Sequence, residues 1–126
     1  MPTSRKQIRQ AVKVLTEAVT AAPVYCRRMV DATGLDQFVT IYLASGDISE
    51  NGLSQFTVAT LSVCIYGNIY SDDDDLDAMA EDIQQQLAGD PTLGGLVRGL
   101  RLAGFEYPND DEQQFAQLVL NYTVHY

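Results

Sequence analysis

The chain has 126 residues, 46% of them apolar and 20% charged, with a formal net charge of −9. That is enough chain for one domain that buries about two thirds of its unfolded surface. The acidic balance argues against nucleic-acid binding, which needs a basic surface to displace counterions, and no apolar run approaches the roughly 18–20 residues of a membrane-spanning helix.

The charge is unevenly placed. Residues 1–30 carry Arg5, Lys6, Arg9, Lys13, Arg27 and Arg28 against the single acid Glu17; residues 31–97 carry twelve acids and no Lys or Arg; residues 98–126 carry Arg98 and Arg101 with four acids. A fold with one basic and one acidic flank suits head-to-tail contact with copies of itself. The basic start of the chain has no hydrophobic segment behind it, so no signal peptide is expected and a cytoplasmic origin follows.

Ser4 caps a first helix, with Gln7 completing a capping box, and Ile8, Val12, Leu15 and Val19 mark one face to about Ala21 before Pro23. Residues 24–30 read as a short strand, and Asp31 to Gly34 as a turn. Residues 37–43 alternate Val39, Ile41 and Leu43 against Phe38, Thr40 and Tyr42, a half-buried strand. Residues 44–54 read as a polar projecting loop holding the turn dipeptide Asn51-Gly52. A long strand follows over 55–66, with Ala59, Leu61, Val63 and Ile65 on one face and Thr60, Ser62 and Cys64 on the other.

Residues 71–89 predict an amphipathic helix. Leu76, Met79, Ile83 and Leu87 form its stripe, Asp72 to Asp75 crowd its first turn, and Gly89 is free to end it in the left-handed conformation. Asp90-Pro91 restarts a short helix through Leu93, Leu96 and Val97, weakened by Gly94, Gly95 and Gly99. Residues 100–107 read as a strand interrupted by Gly104, Pro108 to Asp111 as a turn, and residues 115–126 as a long alternating strand that belongs inside a sheet or at a well-covered edge. The sum is an α+β domain: a mostly antiparallel sheet of four to five strands with helices largely on one face.

Catalytic chemistry is poorly supplied. His125 is the only histidine, and Cys26 and Cys64 lie apart in apolar stretches that suit small buried side chains. One His and two isolated Cys do not make a zinc site, and Gly94-Gly95 lacks the spacing of a phosphate-binding loop. The consecutive carboxylates point in different directions on a helix and cannot all reach one ion. No metal, cofactor or catalytic residue is expected. Two acids suffice for a cap, and the surplus favours a cationic partner.

The order of short motifs carries a resemblance. It comprises Ile41-Tyr42-Leu43 with Gly46; Asp75-Leu76-Asp77-Ala78-Met79 with Glu81 and Ile83; Asp90-Pro91-Thr92-Leu93; Gly104-Phe105-Glu106-Tyr107 with Asp110-Asp111; and Ala116-Gln117-Leu118 with Tyr122 to Tyr126. Over about residues 37–126 the chain resembles the minor tail protein U family, the tail terminators of lambda-like phages, although Met79 stands where members often have Trp. The resemblance implies a virion tail protein, assembled in the host cytoplasm, that forms a hexameric ring on the end of the tail tube. There it stops tube polymerisation and offers its other face to head-completion (connector) proteins, while DNA passes through without specific binding. On this reading Asp72, Asp73 and Asp74 face cations of a neighbour drawn from Arg27, Arg28, Arg98 and Arg101, and Gly46, Asp47, Glu50, Asn51 and Gly52 touch the tube or connector. Another neck or tube component, or an unrelated acidic protein-binding module, stays open.

Overall fold

The structure, a computed structural model, describes residues 3–28, 30–31, 33–51, 54–68, 70–108 and 115–126. Seven elements follow one another: α1 (Arg5–Glu17), β1 (Val24–Tyr25), β2 (Phe38–Asn51), β3 (Ser54–Asn68), α2 (Asp73–Ala88), β4 (Gly99–Glu106) and β5 (Phe115–His125). The strands form one sheet in the order β1-β2-β3-β5-β4, antiparallel except where β1 lies parallel to β2. Both α1 and α2 contact the sheet and each other. The α+β expectation therefore holds, and of the two places expected for the last strand, inside the sheet or at a well-covered edge, it takes the first.

β3 and β4 are each antiparallel to β5, so they run parallel to one another, with α2 as the crossover and β5 filling the gap between them. The helix-facing side of the sheet is dry. Leu61, Val63 and Ile65 of β3 are fully buried against Ile8 and Val12 of α1 and Ile83 and Leu87 of α2. Each such side chain contributes about 1.5–3 kcal/mol of apolar burial. The opposite face of the sheet is a polar and aromatic lattice. Ser62 donates to Asn121 (3.1 Å), Gln117 to Tyr66 (3.1 Å), and Phe38 stacks on Tyr66 at 4.4 Å with Phe115 edge-on.

Several expected boundaries move, each for a local reason. α1 has its capping box, with Ser4 Oγ accepting from Gln7 N and Gln7 Oε1 from Ser4 N. It ends at Glu17 rather than Ala21, because Thr20 Oγ1 takes Ala22 N–H at 3.2 Å and turns the chain aside. β1 keeps two residues of the expected seven; Arg28 leaves the sheet plane to stack on Tyr42 and donate to Leu43 O. In α2 the buried stripe is Leu76, Ala80, Ile83 and Leu87, and Met79 is only half-buried.

Gly89 ends α2 in right-handed geometry, φ −75°, not the expected left-handed one. The left-handed residues come later and together: Leu93 (φ 50°), Gly94 (69°) and Gly95 (90°). Three in succession cannot propagate a helix, so the expected helix after Asp90 is instead a tight turn, held by Asp90 Oδ1 accepting from Gly94 N. Leu93 and Val97 are still buried as their apolar character requires.

The largest correction concerns residues 44–54. The described ones, residues 44–51 and 54, are strand and not loop. β2 continues through a bulge between Leu43 and Ser45 and pairs with β3 out to Asn51 opposite Ser54. Gly46 lets the strands approach, since a Cβ there would meet Ala59 Cβ at 3.2 Å. Polar side chains do not prevent a ladder where they meet solvent, and residues 44–48 are exposed. β5 reaches only Val58, with Tyr126 bonding Thr57, so the hairpin beyond that row projects as an arm. Gly52 and the Asn109-to-Asp111 part of the expected turn lie outside the described residues.

Candidate functional site

Two features of the sequence, the acidic helix start and the scattered arginines, become two corners of the subunit. The first corner lies where β3 ends and β4 finishes. Asn68 accepts from Tyr70 N through its side chain and from Ser71 N through its main chain, both at 2.9 Å, and so turns the chain into α2. Asp72 Oδ1 accepts from Asp75 N (3.0 Å) and Asp75 Oδ2 from Asp72 N (3.4 Å). The reciprocal cap thus occupies two carboxylates and leaves Asp73 and Asp74 exposed at the positive end of the helix dipole.

One turn further along α2, Asp77 accepts a hydrogen bond from the Tyr107 hydroxyl. That bond, above all, pushes the Tyr107 pKa up to about 12, with desolvation and the charges of Asp77, Asp73 and Asp74 acting in the same direction. Phe105, 63% exposed, meets the Tyr107 ring edge-on at 5.9 Å. Asp77, Glu81, Phe105 and Tyr107 line a groove between α2 and β4. Phe105 reaches this groove because the irregularity between Leu102 and Gly104 resets the alternation of β4. Phe105 sits opposite core residue Leu120, on the helix side but past the cover of α2.

The second corner lies across the sheet, on the free side of β2. Arg28 places its guanidinium 4.8 Å over the Tyr42 ring and donates to Leu43 O at 2.7 Å. Arg5, from the first turn of α1, joins it around a groove at the base of the arm with Leu43, Gly46, Ile48 and Tyr126. Arg27 lies 5.9 Å from the Tyr25 ring. The volumes are about 290 Å³ here and 200 Å³ at the acidic groove, at or under the small end of the ~300–1,000 Å³ typical of small-molecule sites.

The four candidate arginines therefore do not form one patch. Arg27 and Arg28 belong to the β1–β2 edge, whereas Arg98 leads into β4 with its N–H on His125 O (2.7 Å) and Arg101 pairs with Thr123 on β4 itself. Asp72, Asp73 and Asp74 sit at the corner diagonal to Arg28. Gly46 and Asp47 begin the arm and are exposed; Glu50 and Asn51 continue its strand. Sequence reasoning gave no role of their own to Arg5, Ile48, Glu81 and Phe105; the register skips Ala103, and Gly104 has neither a positive φ nor a close neighbour, so no local signal marked Phe105.

The thiols and the imidazole lie in structural settings. Cys64 is buried and Cys26 half-buried, both free, and burial is the main cause raising each thiol pKa. His125 is a half-buried ladder residue between Val58 and Gly99. Among the described residues no group of three His, Cys, Asp or Glu is placed to hold a metal ion.

A family model described as phage minor tail protein U matches residues 3–126. No curated protein matches the chain significantly.

Proposed function

Because the chain belongs to the phage minor tail protein U family and is thereby a phage tail component, we propose that it is the tail terminator: a hexameric ring on the end of the tail tube that stops tube polymerisation and offers a face to the head-completion (connector) protein. The role is structural and not enzymatic. The observation that carries this reading is the placement of opposite charge at opposite edges of a single sheet. Such a subunit is complementary to itself only head to tail, and a heterologous contact closes into a ring when the rotation per subunit allows. Exposed Asp73 and Asp74, with Asp72 behind them in the cap, face cations of the neighbour. Of the four candidates, Arg27 and Arg28 lie on the opposite edge and fit a head-to-tail contact, whereas Arg98 and Arg101 share the β4 side with the acids. The arm that begins at Gly46 and Asp47 and carries Glu50 and Asn51 reaches the tube or the connector, and Gly52 remains a candidate contact on sequence grounds. A net charge of −9 keeps the ring from holding the DNA that passes through it, since phosphates are repelled.

The test is assembly by native mass spectrometry and light scattering, with and without Mg²⁺ and purified tail tubes. Wild type gives hexamers and tubes of fixed length. Asp73→Ala with Asp74→Ala reduces ring formation at least tenfold in the protein concentration required. Wild type that stays monomeric at high concentration with Mg²⁺ and tubes present overturns the proposal.

A further inference from the structure

We propose that the groove between α2 and β4 receives the arginine groove at the base of the β2 arm of a second copy of this chain, and that this contact is the centre of the joint between subunits, with Asp73 and Asp74 at its margin. The inference rests on the ring reading above and specifies which surfaces meet.

Three observations carry it. The first is charge: Asp77 and Glu81 line one groove, Arg5 and Arg28 the other. The second is apolar exposure. Phe105 (63%) stands in the acidic groove in contact with Tyr107, a small exposed aromatic pair, and Ile48 (60%) stands in the basic groove. Burying them together removes both from water, and the Phe105 and Tyr107 rings offer faces to the incoming Arg5 guanidinium, while Arg28 keeps its seat over Tyr42 and adds charge to the groove. The third is position. The floors of both grooves are helix-side residues, Ala80 and Leu118 beside β4 and Ile48 and Ala59 beside β2, so the grooves occupy opposite edges of the same subunit. Arg28 reaches the second round the β2 edge, its guanidinium over the Tyr42 ring of the other face. A contact between opposite edges is heterologous and repeats around a ring, whereas two copies of one groove would repel. The irregularity in β4 and the exposed Arg101 on it blunt that strand as a template for backbone pairing, so the joint is made by side chains. Arg98 and Arg101 lie on the β4 side with the acidic groove and are left out of this joint.

Charge exchange tests the pairing. One variant carries Asp77→Lys and Glu81→Lys; the other carries Arg5→Glu and Arg28→Glu. Each alone has one groove that repels its neighbour and stays monomeric. Mixed in equal amounts, the reversed grooves face each other and the wild-type grooves face each other, so alternating rings form, and native mass spectrometry of one mass-labelled variant shows three copies of each. Either single variant forming rings as wild type does overturns the pairing, as does failure of the mixture while both variants keep the wild-type circular dichroism. Phe105→Ala, which trims a mostly exposed ring and spares the core, raises the concentration for half-assembly at least tenfold; no change in that concentration also overturns the pairing. Wild type that never assembles defeats the ring reading instead, so the two failures are distinct.

Discussion

Tyr122 offers a stability test whose sign reverses intuition about deleting a polar contact. Its ring lies in the helix-facing core at 3% exposure, and its hydroxyl is buried without a hydrogen-bond partner. A buried hydroxyl left unpaired costs about 1–3 kcal/mol, so Tyr122→Phe keeps the ring and removes the cost. We expect a gain of about 1 kcal/mol at pH 7, or roughly 3–5 °C in Tm for a domain of this size. The same burial pushes the Tyr122 pKa up to about 12 from an ordinary value of 10. A folded pKa above the unfolded one means stability that is intact below pH 10 and is lost as pH rises towards 12. Two units correspond to about 2.7 kcal/mol. Urea unfolding at pH 7, 10 and 11.5 therefore shows wild type weakening at the alkaline end by more than Tyr122→Phe does; the other tyrosines are common to both proteins and cancel. A variant that is less stable than wild type by 1 kcal/mol or more at pH 7 refutes the reasoning, because the hydroxyl then has a partner.

Two further changes report on how the acidic corner is built. Asp72→Ala removes the side chain that holds Asp75 N–H and is expected to cost about 1 kcal/mol, read as a lower urea midpoint at unchanged slope; no loss means the remaining carboxylates cap the helix equally well. Gly67→Ala places a Cβ 2.6 Å from Ser71 Oγ and 2.9 Å from Ser71 Cβ, so the entry to α2 must shift. A loss of about 1–3 kcal/mol is expected, and adding Ser71→Gly restores part of it; Gly67→Ala without effect means the turn is loose.

Much of the helix framework was legible in the amino-acid order. Ser4 with Gln7, and Asp72 with Asp75, are local chemistry: a side-chain oxygen and an amide three residues on need nothing else from the fold. The alternation of Leu118, Leu120, Tyr122 and Val124 likewise defined an interior strand. Where the reading failed, the deciding partner was distant. Met79 gave way to Ala80 because the sheet selects which part of a broad apolar stripe is covered. The polar stretch after Leu43 became a strand because β3 lay alongside it, a backbone interaction that side-chain polarity does not report.

The candidate site divides the same way. The sequence by itself determined that the charges are segregated, that α2 begins on a carboxylate cluster and that the chain resembles a tail protein. Those are properties of composition, local hydrogen bonding and motif order. Only the tertiary structure decided where the segregated charges end up. Placing β5 between β3 and β4 sends β4 to one edge with the acids of α2 and leaves β2 at the other with Arg28. Strand order follows from long-range pairing, whose cost in loop closure and reward in burial are settled by the whole chain at once.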